Sequence, residues 1–339
     1  MANNALELTE TAVNTIALEQ LQTAINKKNV FAFLGAGCSA KLKYPTWQQL
    51  LELLEKAALD AGCPKDDIDI YKHCSEYETD KPWWAEQLVA LLSKQTLQQT
   101  IQQTFQPLKE MDSKFHRDLM SIPFRHFITT NYDGLLDYAA EKINVPLVHL
   151  CLNEKEMLSK FFKGLNDPDS LGARYVIHIH GRYDRPESII LTEKDYIEMY
   201  SETSIGYKII WSIISSFRMC FIGFKLEDFD LLSIFRKSKQ EIGGTGYSHF
   251  AIINEADVPE KRKAKRLYLR GKYGIDPIFF TEQKDESVRW KEQEDIIADL
   301  IKFSSPASKE PKIPKAKKNA ASLKKDAEKL KELTDLAKQ

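Results

Sequence analysis

The chain has 339 residues and a mass of 39.0 kDa, with 43% hydrophobic and 29% charged residues, so a sizeable core is possible and wholesale disorder is excluded. Lysine and arginine (48) nearly balance aspartate and glutamate (49), a formal net charge of −1 that excludes a nucleic-acid binder working by bulk positive charge. Cys38, Cys63, Cys74, Cys151 and Cys220 are widely spaced with no CxxC pair, which reads as reduced thiols, not a disulfide framework or a zinc site.

The opening stretch MANNALELTETAVNT is polar and acidic, without the basic and apolar segments of a secretory leader. No apolar run reaches the roughly 18 residues of a membrane span. A cytoplasmic protein is expected.

The first candidate strand, Asn29 to Leu34, ends on Gly35-Ala36-Gly37-Cys38-Ser39-Ala40, a G-x-G-x-x-A pattern. Two glycines permit a sharp turn and close backbone approach to a pyrophosphate, and the alanine permits tight helix–strand packing. A glycine turn after a strand is equally often only a turn. The acidic residue that usually follows such a fingerprint by about 20 residues has no clear counterpart, which argues against an ordinary dehydrogenase. Helical periodicity begins at Thr46. From about 58 to 115 the pattern is purely helical, read either as an insertion covering a ligand site or as a structural subdomain.

The second strand, His126 to Thr129, runs into Thr130-Asn131-Tyr132-Asp133-Gly134, with a helix expected over Asp133 to Lys142. Asp133 is a natural helix cap, but several polar residues converge here, and Asn and Asp side chains can hold a water or ribose hydroxyls. A third strand covers Val145 to His149, with Pro146 belonging at its start or on a sheet edge. The fourth, Tyr175 to Ile179, leads to His180-Gly181. His180 is a candidate general base with a pKa near neutrality, and His178 is expected to share its side of the strand. A satisfied structural role is the plainer reading of either histidine.

The fifth strand, Met219 to Ile222, precedes Gly223-Phe224-Lys225-Leu226-Glu227-Asp228, where Gly223 allows close approach and Asp228 is placed to cap the next helix. Strands at His249 to Ile253 and Asp276 to Phe280 complete the set. Strands separated by crossover helices predict an α/β, Rossmann-like, doubly wound and mostly parallel sheet, with ligands bound at the strands' carboxyl ends. Residues 305–339 carry a net charge of about +5 and the first 304 about −6. The segment SPASKEPKIPK reads as a linker, followed by a basic helical tail that is either solvated or docks on a partner or second copy. The expected division is 1–304 as the catalytic body and 305–339 as linker and tail.

Taken together, Gly35-Ala36-Gly37-Cys38-Ser39, Thr130-Asn131-Tyr132-Asp133, His180-Gly181 and Gly223 to Asp228 resemble the sirtuin-like family, specifically its bacterial branch associated with NAD hydrolysis in anti-phage defence. The resemblance covers roughly residues 28 to 300. It implies that NAD is the substrate and lies over the sheet. Gly35, Ala36, Gly37 and Ser39 would cradle the pyrophosphate, with Thr130 also in the nucleotide site. Asn131 would position the nicotinamide ribose and the attacking water, beside Asp133. His180 would be the base, and Gly223 with Phe224 would line the adenosine side. The deacylating sirtuins' zinc module of two CxxC pairs has no counterpart, so no zinc is expected, and their Gly-Ile-Pro-Asp-Phe-Arg stretch is absent. The implied activity is NAD hydrolysis to nicotinamide and ADP-ribose. The alternatives are a non-catalytic module sensing NAD or ADP-ribose, and an NAD-dependent protein deacylase. An enzyme that depletes NAD needs restraint, so homo-oligomerisation or a separately encoded partner such as a HerA-like ATPase is expected.

Overall fold

The computed structural model describes residues 9–74, 81–107, 113–165, 173–226, 228–241 and 248–304. The linker and tail expected over 305–339 lie outside them, as does Glu227. Helix α1 (Glu10–Asn26) leads into β1 (Val30–Leu34). Then come α2 (Gly37–Ala40), α3 (Trp47–Asp60), α4 (Lys65–Cys74), α5 (Lys81–Leu91), α6 (Lys94–Phe105) and α7 (Lys114–Ser121). They are followed by β2 (Phe127–Thr129), α8 (Leu135–Lys142), β3 (Leu147–Cys151), α9 (Lys155–Gly164) and β4 (Arg174–His178). Helices α10 (Glu193–Tyr200) and α11 (Ile205–Ser216) precede β5 (Arg218–Ile222). The described chain ends with α12 (Phe229–Glu241), β6 (His249–Asn254), α13 (Pro259–Tyr273), β7 (Ile275–Phe280) and α14 (Lys291–Ser304).

The seven strands form one sheet in the order β3-β4-β2-β1-β5-β6-β7, and every neighbouring pair is parallel. This is the α/β, Rossmann-like sheet expected from the sequence. Both strand prolines sit where a missing N–H costs least: Pro146 just before edge strand β3, and Pro277 within edge strand β7. β1 is central and buried along its whole length, as a strand covered on both faces must be. Val30, Ala32 and Leu34 pack towards α1, α7, α8 and α14, while Phe31 and Phe33 face α11 and α12. Burying each phenylalanine contributes about 1.5–3 kcal/mol.

A third cluster covers the strands' carboxyl ends. Helix α3 starts in a capping box between Thr46 and Gln49, and its Leu50, Leu51 and Leu54 are buried at helical spacing. They join Trp84, Leu88, Ile101 and Phe105 from α5 and α6 in one apolar layer. That layer includes Tyr132 and Leu135, which follow β2, and Leu191, which follows β4. Helices α3, α5 and α6 therefore rest on loops that carry candidate site residues. Among the described residues, no helix is long and apolar enough to cross a membrane.

Four buried histidines and the half-buried His249 have consequences for stability. Burial pushes His116 and His249 down to about 4 and His126 and His180 down to about 3, and holds His178 well below the ordinary value. Because each folded-state value lies below the unfolded 6.5, the unfolded chain gains protons first on acidification. The stabilisation is complete above the unfolded value and is lost as pH falls from there towards 4. Asp133 and Asp228, whose values burial raises, act in the opposite sense. Urea denaturation is expected to show stability falling between pH 7 and pH 5, by about 1–2 kcal/mol per buried histidine. A flat profile over that interval would contradict the buried, neutral state of these side chains.

Candidate active site

Four loops meet above the centre of the sheet, following β4, β2, β1 and β5, which are adjacent in that order. The loops after β1 and β5 touch through their backbones. Gly35 N donates to Ile222 O (3.0 Å) and Gly37 N donates to Gly223 O (2.8 Å). A Cβ on Gly35 would sit 2.6 Å from Gly223 O, one on Gly37 2.8 Å from the same atom, and one on Gly223 2.4 Å from Cys38 N. Gly223 also has φ +65°, a left-handed conformation that favours glycine. The contact between the loops therefore accounts for these glycines without invoking a ligand. Several loop amides are also engaged: Gly37 bonds Gly223, Cys38 N bonds Gly35 O, and Ser39 N bonds Ala36 O. Ala36 is exposed at the rim. The thiol of Cys38 donates to Ile222 O (3.2 Å), and burial pushes its pKa up to about 12, so it is chemically quiet.

Beneath the rim, the β1 and β2 loops are joined by a chain of side chains. Asn131 Nδ2 donates to Gly35 O (3.1 Å) and to Ser39 Oγ (3.1 Å). Ser39 Oγ in turn donates to Asp133 Oδ2 (2.7 Å). Asp133 Oδ1 accepts from Leu135 N (3.0 Å), which is why α8 begins at Leu135 and not at Asp133, as the sequence suggested. Ser39, expected in the pyrophosphate cradle, is 2% exposed, and its single proton is committed to the carboxylate. Burial raises the pKa of Asp133, opposed by the hydrogen bond from Ser39. Both N–H bonds of the Asn131 amide are thus used within the chain, and Oδ1 is its acceptor. Thr130 is half-buried, with its N–H on Leu34 O (3.3 Å). Phe224 packs its ring against Phe33 and Phe221.

His180 stands on the turn that ends β4. Gly181 beside it has φ +89°, and a Cβ there would lie 2.1 Å from Ser188 O. Only glycine fits, and the returning chain closes over it. The loop is tied to its neighbour by Tyr183 N donating to Tyr132 O (2.9 Å). His180 is 5% exposed, and its Nε2 is 2.8 Å from the hydroxyl of Tyr200, with the ring of Tyr196 alongside at 5.1 Å. Here the structure corrects the sequence: instead of titrating near neutrality, His180 is pushed by burial down to about 3 and is neutral throughout the physiological range.

His178 does not join it. β4 ends at His178, and the turn separates the two imidazoles. His178 Nε2 contacts His149 Nδ1 (2.9 Å), while His149 Nε2 pairs with Asp137. Arg182 bridges Asp137 (3.0 Å) and Asp184 (2.6 Å). Burial alone would raise Asp137, but the hydrogen bond and charge of His149, together with Arg182, hold it below the ordinary carboxylate value. None of these contacts was anticipated. Nor was Tyr200, although Tyr196 and Tyr200 lie four residues apart on one face of α10, a spacing that could have pointed to them. Among the described residues, no group of three or more His, Cys, Asp or Glu side chains is arranged to hold a metal ion.

Residues 125–278 match the SIR2-like domain. The matched span contains Asn131, Asp133, His180 and Gly223, while the β1 loop lies ahead of it. The chain is similar to defense-associated sirtuin 2 of Bacillus subtilis, 24% identical over 216 residues, covering 63% of this chain and 19% of the relative. It is also similar to two proteins named NAD(+) hydrolase ThsA. The one from Cytobacillus dafuensis is 26% identical over 247 residues, covering 71% of this chain and 44% of the relative. The one from Bacillus cereus is 23% identical over 283 residues, covering 83% and 50%. The chain thus spans half or less of the length of these relatives.

The glycine contact has an internal control. Gly62 also has a positive φ (+89°), but a Cβ there meets nothing within 4 Å. Gly62→Ala should cost only the backbone penalty, about 1 kcal/mol, while Gly223→Ala adds a clash of about 1–3 kcal/mol. Paired urea denaturations will measure both. Equal losses would show that the two loops do not need their close approach.

Proposed function

We propose that this chain cleaves the bond between nicotinamide and ribose in NAD, with water as acceptor, giving nicotinamide, ADP-ribose and a proton. The observation that carries the reading is the convergence of three loops. Asn131, tied to Ser39 and Asp133, and a neutral buried His180 occupy adjacent strand ends, where α/β sheets bind ligands. The relatives named NAD(+) hydrolase support the same chemistry.

The residues suit the reaction. The departing nicotinamide leaves as a neutral molecule from a cationic nucleotide, so no acid is needed to assist it. The ribose is left with oxocarbenium character, and water attacking it becomes acidic as the new bond forms. Asn131 Oδ1 would accept from that water and orient it. A neutral imidazole at His180 would take a proton from the water or from a ribose hydroxyl, although its low proton affinity makes orientation the larger part of its work. Asp133 would hold Ser39, and through it Asn131, in place. Gly35, Ala36, Gly37 and Thr130 would sit beside the pyrophosphate, and Gly223 and Phe224 towards the adenosine. Depletion of NAD as an anti-phage response, in the cytoplasm and restrained by homo-oligomerisation or a HerA-like partner, belongs to the same proposal.

The test is chromatography of NAD incubated with wild type, Asn131→Ala and His180→Ala. Wild type should release nicotinamide, and each variant should lose about 100-fold or more. If wild type leaves NAD intact, both alone and with the products of neighbouring genes, the reading fails. Binding without turnover, unchanged in His180→Ala, would indicate a sensing module. NAD consumption that depends on an acyl-lysine peptide would indicate a deacylase.

A further inference from the structure

The loops that carry Asn131 and His180 are joined through a single residue. Tyr132 lies between Asn131 and Asp133 in sequence and is buried. Its backbone O accepts from Tyr183 N (2.9 Å), on the limb of the β4 loop that leaves His180. Its hydroxyl donates to Ile190 O (2.7 Å), on the limb that returns. Ile190 N in turn donates to His180 O (2.8 Å), so the returning limb is anchored to the histidine itself. A Cβ on Gly134, two residues past Tyr132, would lie 3.0 Å from the Tyr183 ring, so the two loops meet closely there as well.

We propose that Tyr132 is a positioning residue for the reaction, clasping both limbs of the β4 loop and so fixing the separation between Asn131 and His180. A backbone carbonyl can only accept, which sets the direction of the bond to Ile190 across 58 residues of chain. Burial raises the pKa of Tyr132, so the hydroxyl keeps its proton and donates it. Without that bond the returning limb keeps its link to His180 but loses its link to the β2 loop. Asn131 and His180 would then be held each by its own loop and not by one another. Water and the ribose have to meet both side chains at once, and a misplacement of about 1 Å is enough to cost about 100-fold in rate.

The ring and the hydroxyl of Tyr132 have separate tasks. Phe105 of α6 meets the ring edge-on, with centroids 5.2 Å apart at 77°, and Leu191, next to Ile190, is buried in the same apolar layer. Packing alone therefore calls for an aromatic side chain, and the bond to Ile190 calls for its hydroxyl. Tyr273 supplies a contrast. It is equally buried, and its hydroxyl meets that of Tyr268 (3.4 Å), but it ends α13 just before β7 and so lies at the opposite, amino-terminal edge of the sheet.

The inference rests on the NAD-cleaving reading for its kinetic readout only, and amide hydrogen exchange followed by NMR tests the clasp without substrate. Tyr132→Phe keeps the ring on Phe105 and removes the hydroxyl. In this variant the Ile190 amide should exchange about threefold faster or more, while the β1 amides keep their wild-type protection. Its kcat should fall about 10–100-fold with KM changed less than about threefold, because the β1 and β5 loops proposed to hold the rest of the nucleotide are untouched. Tyr273→Phe, which removes an equally buried hydroxyl, should leave kcat and KM at their wild-type values. Unchanged Ile190 exchange or unchanged kcat in Tyr132→Phe overturns the proposal, as does a loss that Tyr273→Phe reproduces or that falls on KM alone. Loss of protection throughout, β1 included, would make Tyr132 a determinant of the fold and overturn it likewise. If wild type does not cleave NAD but the Ile190 amide responds as stated, the clasp stands and the functional reading fails.

Discussion

The backbone contact between Gly37 and Gly223 fixes the spacing of everything above the sheet. With Gly37 N on Gly223 O at 2.8 Å, no side chain can come between the loops after β1 and β5. This holds Ser39 at the depth where its hydroxyl meets both Asn131 and Asp133. The same approach holds the start of the β5 loop against β1, and Asp228 stands five residues further along it. Parallel pairing of β1 with β2 and β5, and of β2 with β4, brings the remaining residues to the same edge.

Burial then determines the electrostatics. His180 is kept neutral, and Asp133 and Asp228 are held above the ordinary carboxylate range, the last at about 6. An isolated charge so deep would be costly, and Asp133 is accordingly met by the hydroxyl of Ser39 and the backbone N–H of Leu135, while Asp228 accepts from Leu231 N. The helical layer of α3, α5 and α6 adds to this enclosure by packing on Tyr132, Leu135 and Leu191. Stability and chemistry are therefore coupled, because the burial that keeps His180 neutral also penalises folding in acid, while the buried carboxyls act in the opposite sense.

The fold was legible in the sequence because fully buried parallel strands leave continuous apolar runs. Each of the seven expected strands is present, with ends moved by one or two residues. Pro146 marked the start of an edge strand. Within the site, Asn131, Asp133 and His180 could be named because they follow strands directly. What could not be read was pairing across long separations. Ser39 reaches Asp133 over 94 residues, and nothing local distinguishes a serine bound to a carboxylate from one facing a phosphate. Tyr200 comes from the end of a helix rather than a strand, outside the positions that the carboxyl-end rule singles out. The protonation of His180 was misjudged for the same reason, since its pKa depends on burial, which one strand's sequence does not disclose.

The central claim is that NAD occupies the crevice bounded by the β1, β2 and β4 loops. A crystal structure of the Asn131→Ala variant grown with NAD tests it most directly. The nicotinamide ribose is expected within hydrogen-bonding distance of His180 Nδ1, with the pyrophosphate over Ala36 and Thr130. Nucleotide seated elsewhere on the sheet, with the crevice still closed over His180, would contradict the account.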